Sequence, residues 1–171
     1  MKKSLLAIFI ILTLALASCG NNYDPRESFE IPMRITARLL PSGSEFTASV
    51  YPDRCEISFS GSHSLSSTKL CLGEEKNTAA IEGFFEREVP KGCFPAQESL
   101  YKAVLLLEKC ESDGEKYENQ AKYTIDETTI IVYYDIDTET VTHIETEENG
   151  RRFLFAVTSL AINEAQSNGA G

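Results

Sequence analysis

The chain has 171 residues, with 26 acidic and 16 basic side chains and a formal charge of −10. That length suits one domain plus short appendages. The acidic balance excludes a protein that holds nucleic acid or anionic headgroups through a basic patch.

The first residues are Met1-Lys2-Lys3, followed by an apolar run from Leu5 to Ala17 broken only by Thr13. A membrane-spanning helix needs about 20 apolar residues, so this run is too short. It fits the apolar region of a secretory signal. The run ends in Leu16-Ala17-Ser18-Cys19. This stretch closely resembles the lipobox of bacterial lipoproteins, with leucine three before the cysteine. The resemblance implies a diacylglyceryl group on the Cys19 thiol, removal of residues 1–18, and an extracytoplasmic protein held at a membrane by lipid. Each buried CH₂ contributes roughly 0.8 kcal/mol, and one acyl chain alone holds only marginally, so two or three chains on one residue make the stable anchor. Loss of Lys2 and Lys3, the only charges of the signal, takes the formal charge from −10 to −12. The mature chain needs its lipid, not its charge, to stay at a membrane.

Residues 19–32 read as the lipidated cysteine and a polar tether carrying Pro25 and Pro32. A single β-rich domain is expected over 33–163, with a frayed tail at 164–171. Its first run, 33–40, alternates Met33, Ile35, Ala37 and Leu39 against Arg34, Thr36 and Arg38. After the Pro41-Ser42-Gly43 turn, Phe46, Ala48 and Val50 alternate with polar residues, and the two runs read as a hairpin. A third run places Cys55, Ile57 and Phe59 on one face. Residues 61–67 form a small polar loop containing His63. Runs 68–72 and 79–88 are weaker strand candidates.

Residues 96–110 change period. Leu100, Ala103, Val104, Leu107 and Cys110 share one helical face, and Leu105 and Leu106 widen it. Pro95 precedes this helix and Ser112-Asp113-Gly114 ends it. Strands resume at 116–125, read as one run, then at 128–137 and 141–147. Asn149-Gly150 is a type I′ hairpin signal leading into 151–162. The layout predicts an α+β fold, a curved antiparallel sheet with one main helix packed on its concave face.

Four cysteines follow Cys19: Cys55, Cys71, Cys93 and Cys110. Their spacing lacks C-x-x-C, which argues against zinc or a redox pair. Outside the cytoplasm they can pair, with three connectivities open, or stay as buried thiols. A helix between Cys93 and Cys110 rises roughly 20 Å, beyond the about 7 Å a disulfide allows. Cys55 and Cys71 sit on strands of opposite phase. Any disulfides should therefore join the 55/71 group to the 93/110 group.

No catalytic constellation is visible, and no enzyme, cofactor or metal is expected. His63 and His143 have no second ligand at metal spacing. Asp135, Asp137 and Glu139 begin like a calcium loop, but Thr140 and Thr146 stand where glycine and glutamate are required. The segment reads as an acidic turn, and Glu145, Glu147 and Glu148 as a solvated hairpin end. In layout, the chain over 33–161 resembles the half-barrel of lipoprotein-carrier and mycobacterial-type lipid-binding lipoproteins. The closest part is the strand "IIVYYDID", the turn "TET", the strand "VTHIE" and the final "FLFAVTSL". Asp137, Glu139, Thr140 and Val141 stand where those proteins usually have an Asp-x-x-Thr turn continuing Gly-x-Pro. That resemblance implies a lipid or other hydrophobic ligand held in a pocket between sheet and helix, with some of the aromatic residues as its lining. The competing reading is an envelope protein-interaction or structural module with a filled core.

Overall fold

The computed structural model describes residues 23–61, 65–81 and 85–162, with Phe85 described by its backbone alone. The lipobox, Cys19, His63 and the 164–171 tail lie outside the described residues. Eleven strands form one antiparallel sheet: β1 Met33–Leu40, β2 Ser44–Val50, β3 Arg54–Ser60, β4 Thr68–Gly73, β5 Asn77–Ile81, β6 Phe85–Val89, β7 Glu115–Tyr117, β8 Gln120–Ile125, β9 Thr128–Asp135, β10 Thr140–Glu148 and β11 Arg151–Ile162. The helix α1, Pro95–Lys109, joins β6 to β7. The class is α+β, as the alternation predicts.

The strand order is β6-β5-β4-β3-β2-β1-β11-β10-β9-β8-β7. Two meanders therefore run outward from a central pair formed by the first and last strands. Met33 pairs with Ile162 and Leu40 with Leu154. The sheet is not closed, and its edges are β6 and β7. The helix connects those two edges.

Alternation becomes burial on one face. Met33, Ile35, Phe46, Ala48, Cys55, Ile57, Leu70, Leu72, Ile130, Val132, Ile144 and Phe155 all point into one core. The helix adds Ala96, Leu100, Ala103, Val104 and Leu107 to it. At roughly 1.5–3 kcal/mol for each large apolar side chain, this single face is the main source of stability. The opposite face of β1–β4 is polar, with ion pairs such as Arg38–Glu45 and Arg54–Glu56.

Two strand runs differ from expectation. The 79–88 run is two strands, β5 and β6, paired Asn77 to Val89 and Ile81 to Phe85. The 116–125 run is also two strands, because Glu118 takes a positive φ of 44° and opens a two-residue turn between Tyr117 and Gln120. Polar–apolar alternation continues unbroken through that turn, and no glycine marks it. The Asn149-Gly150 hairpin forms as read, with φ of 51° and 73°.

The expected tether is shorter than 19–32. Asp24 and Phe29 are buried, and Pro25–Ser28 form a 3₁₀ turn capped by the Asp24 carboxylate. Asp24 accepts hydrogen bonds from Arg26 N at 3.0 Å and from the Tyr123 hydroxyl at 2.8 Å. The Arg26 guanidinium pairs with Asp24 at 3.2 Å and donates to the Cys110 carbonyl at 2.5 Å. This segment thus ties β8 to the end of the helix. Burial, followed by the bond to Asp24, raises the Tyr123 phenol well above its ordinary value.

Candidate functional site

A cleft with a volume of about 620 Å³ lies beside the first turns of α1. Pro95 at the first helical position suits the helix start, where its missing N–H has no partner to lose. Phe94 supplies no capping side chain. The Glu98 carboxylate does this work by folding back onto Gly92 N, at 2.9 and 2.8 Å, and onto Phe94 N at 3.4 Å. Its Oε1 also accepts from Asn77 Nδ2 on β5 at 3.1 Å. The next residue, Ser99, donates to Thr146 on β10 at 2.7 Å. One turn further, Lys102 pairs with Glu148 on the same strand.

These bonds hold the helix against strands from both meanders and define the cleft walls. Leu72, Tyr101, Leu105 and Phe153 supply apolar lining, with Glu74, Lys91, Glu148 and Arg151 among its polar groups. Glu148 is taken by Lys102, and Glu98 by the backbone. Lys91 donates to the Glu74 carbonyl. Among the described residues, neither Lys91 nor Arg151 pairs with a carboxylate. Burial, with a smaller contribution from Cys55, pushes the Tyr101 phenol up to about 12, so it stays a neutral donor.

The space lies beside the helix, not beneath it. Leu100, Ala103, Val104 and Leu107 are essentially without exposed surface, which leaves no water-sized void against the inner helix face. Leu105, one of the two leucines that widen the apolar face, lines the cleft. Of the aromatic residues, Phe153 and Tyr101 reach it, whereas Phe46, Phe59 and Phe155 pack on one another in the core. Glu98, Lys91 and Arg151 carried no sequence signal beyond their charge.

The four cysteines of the domain are free thiols in this structure. Cys55 faces the core opposite Leu72, while Cys71 pairs with Glu56 and points to the other face. Burial raises the Cys55 thiol far above the reactive range. Cys93 is exposed just before the helix.

His143 lies on the outer face of β10, edge-on to Tyr133 with ring centres 6.2 Å apart. Beside it Glu145 is buried, a correction to the solvated hairpin end. Ile131 and Leu154 flank Glu145 in register, and the Arg152 fork closes on its carboxylate at 2.6 and 2.7 Å. The Tyr133 hydroxyl also donates to Glu145, at 3.3 Å. Asp135 accepts from Asp137 N and Thr138 N, each at 2.9 Å, and these bonds, led by Thr138, hold its carboxyl below its ordinary value. That arrangement is a self-satisfied turn. Among the described residues no three His, Cys, Asp or Glu side chains converge as a metal site. No described helix is long and apolar enough to cross a membrane. The sequence matches no protein-family model, and comparison with curated proteins finds no relative.

Proposed function

We propose that this is a lipid-anchored extracytoplasmic protein that binds an amphipathic ligand in the cleft beside α1. The carrying observation is the pairing of an apolar lining, Leu72, Tyr101, Leu105 and Phe153, with two cations, Lys91 and Arg151, that pair with no carboxylate among the described residues. A ligand with an apolar body and an anionic head satisfies both. A few placed polar groups around an apolar cleft of several hundred Å³ is the usual form of such a site. The anchor is Cys19, on the strength of Leu16-Ala17-Ser18-Cys19.

The half-barrel shape belongs to the same proposal. In the strand order β5 and β10 stand six steps apart, about 29 Å across a flat sheet. Yet Asn77 on β5 and Thr146 on β10 bond to the adjacent helix residues Glu98 and Ser99. Side chains of these lengths do not bridge such a gap, which supports two meanders curled toward each other around the helix. Bulges between Thr36 and Ala37 and between Val141 and His143 favour that bend.

Binding of a dansyl-labelled long-chain fatty acid, followed by its fluorescence and displaced by the unlabelled acid, tests the reading. Saturable binding is expected. Lys91→Glu with Arg151→Glu should weaken it at least about tenfold, or ~1.4 kcal/mol. Absence of saturable binding, or binding indifferent to the double variant, would reject it. The runner-up is an envelope interaction module, favoured by the packed space under the helix and by the exposed edge strand β6.

A further inference from the structure

Five large apolar side chains are exposed among the described residues: Leu65, Ile81, Tyr117, Ile136 and Ile162. Three of them gather where the described chain begins. Tyr23 stacks edge-on against Tyr134, with ring centres 5.2 Å apart. Tyr134 N donates to the Asn119 carbonyl at 2.9 Å, and its hydroxyl donates to the Glu118 carbonyl. The β7–β8 turn therefore abuts Tyr23, and Tyr117, 54% exposed, stands at that turn. Ile136, 44% exposed, begins the β9–β10 turn two residues after Tyr134. Ile162, 49% exposed, pairs with Met33 at the start of β1. Leu65 and Ile81 are elsewhere, both beside Thr68 at the far end of β4.

We infer that this end of the sheet, with Tyr117, Ile136 and Ile162, is the surface that rests on the membrane, and that it suits a zwitterionic rather than an anionic lipid surface. The inference rests on lipid at Cys19. From Cys19 to Tyr23 there are four residue steps, which span at most about 14 Å. A headgroup layer is itself roughly 5–8 Å thick on each side of a bilayer. An anchored chain this short brings Tyr23, and the turns packed around it, down to the headgroups. Tyrosine and isoleucine side chains gain there, tyrosine because its ring is amphipathic. The two turns at this end carry Glu118, Asp135, Asp137 and Glu139, which outnumber the nearby cations Lys116 and Arg26. These carboxylates are repelled by anionic lipid. The first turns of α1, which border the cleft, are at the opposite end of the helix from Cys110, whose carbonyl accepts from Arg26.

The chain has no tryptophan, so one introduced indole reports alone. Tyr117→Trp, Ile136→Trp and Leu65→Trp are each placed in the full, lipidated protein and reconstituted into phosphatidylcholine vesicles brominated near the headgroup end of the acyl chains. Intact mass and flotation report the anchor separately. In floating protein, the indoles at 117 and 136 should shift to the blue and lose most of their emission, while that at 65 should not. Replacing half the lipid with phosphatidylglycerol should reduce the quenching. Equal quenching at 65, or none at 117 and 136 in protein that carries its acyl mass and floats, overturns the orientation and leaves the anchor standing. Stronger quenching in the anionic mixture overturns the lipid preference. A chain without acyl mass that fails to float removes the anchor and the orientation together.

Discussion

Asp24→Ala tests whether residues 23–29 belong to the folded domain. The carboxylate is buried and has three partners: Arg26 N, the Arg26 guanidinium and the Tyr123 hydroxyl. Its removal strands the hydroxyl of Tyr123, itself 2% exposed, at a cost of about 1–3 kcal/mol. Loss of the cap adds about 1 kcal/mol. A total near 3 kcal/mol lowers the melting temperature by about 6–12 °C for a domain of this size. Tyr123→Phe should cost less, because Asp24 keeps Arg26. Thermal melts by circular dichroism of the two single variants and the double give the coupling, expected to be about 1 kcal/mol or more. A melt of Asp24→Ala within ~1 °C of wild type, below the roughly 2–4 °C that 1 kcal/mol produces, would mean that the segment is a tether after all.

Gly150→Val forces a β-branched residue to a φ of 73°, although a Cβ there meets nothing within 4 Å. The cost is conformational, so about 1–2 kcal/mol is expected in urea unfolding, with Gly150→Asn costing less. An unaltered midpoint for the valine variant would refute the turn. Alkaline unfolding is the other expectation. Burial raises Tyr123, Tyr101, Tyr133 and Tyr134 above the ordinary phenol value of 10.0. Each therefore contributes stability that is complete below pH 10 and lost as pH climbs through the raised values. Melting temperature should be flat up to pH 10 and fall steeply above it, and less steeply in Tyr123→Phe. A fall that begins well below pH 10 would contradict this.

Much of the secondary structure is legible in the sequence because its causes are local. In β1, β2 and β3 a period of two places Ile35, Ala48 and Ile57 on one side, and only one side has a core to meet. In 96–110 the period of 3.6 does the same for Leu100, Val104 and Leu107. Asn149-Gly150 marks its hairpin because few pairs tolerate two positive φ angles. The lipobox resemblance at Cys19 is likewise a matter of contiguous residues. The turn at Glu118 escapes such a reading, since a positive φ there is imposed by the pairing of β7 with β8 and not by residue type.

What the tertiary structure alone decides are contacts between residues far apart in the chain. Pairing of Met33 with Ile162 seats the last strand beside the first, a choice made by two complete meanders needing a common centre. Asp24 looks like a tether residue until Tyr123, ninety-nine positions later, gives its carboxylate a buried partner. Glu145 looks solvated until Ile131, Leu154 and Arg152 close around it. The cleft has no local pattern at all, because its apolar lining comes from β4, α1 and β11, which are far apart in the chain. Local periodicity sets which face of each element is apolar. How those faces meet is settled by the whole chain burying them at once.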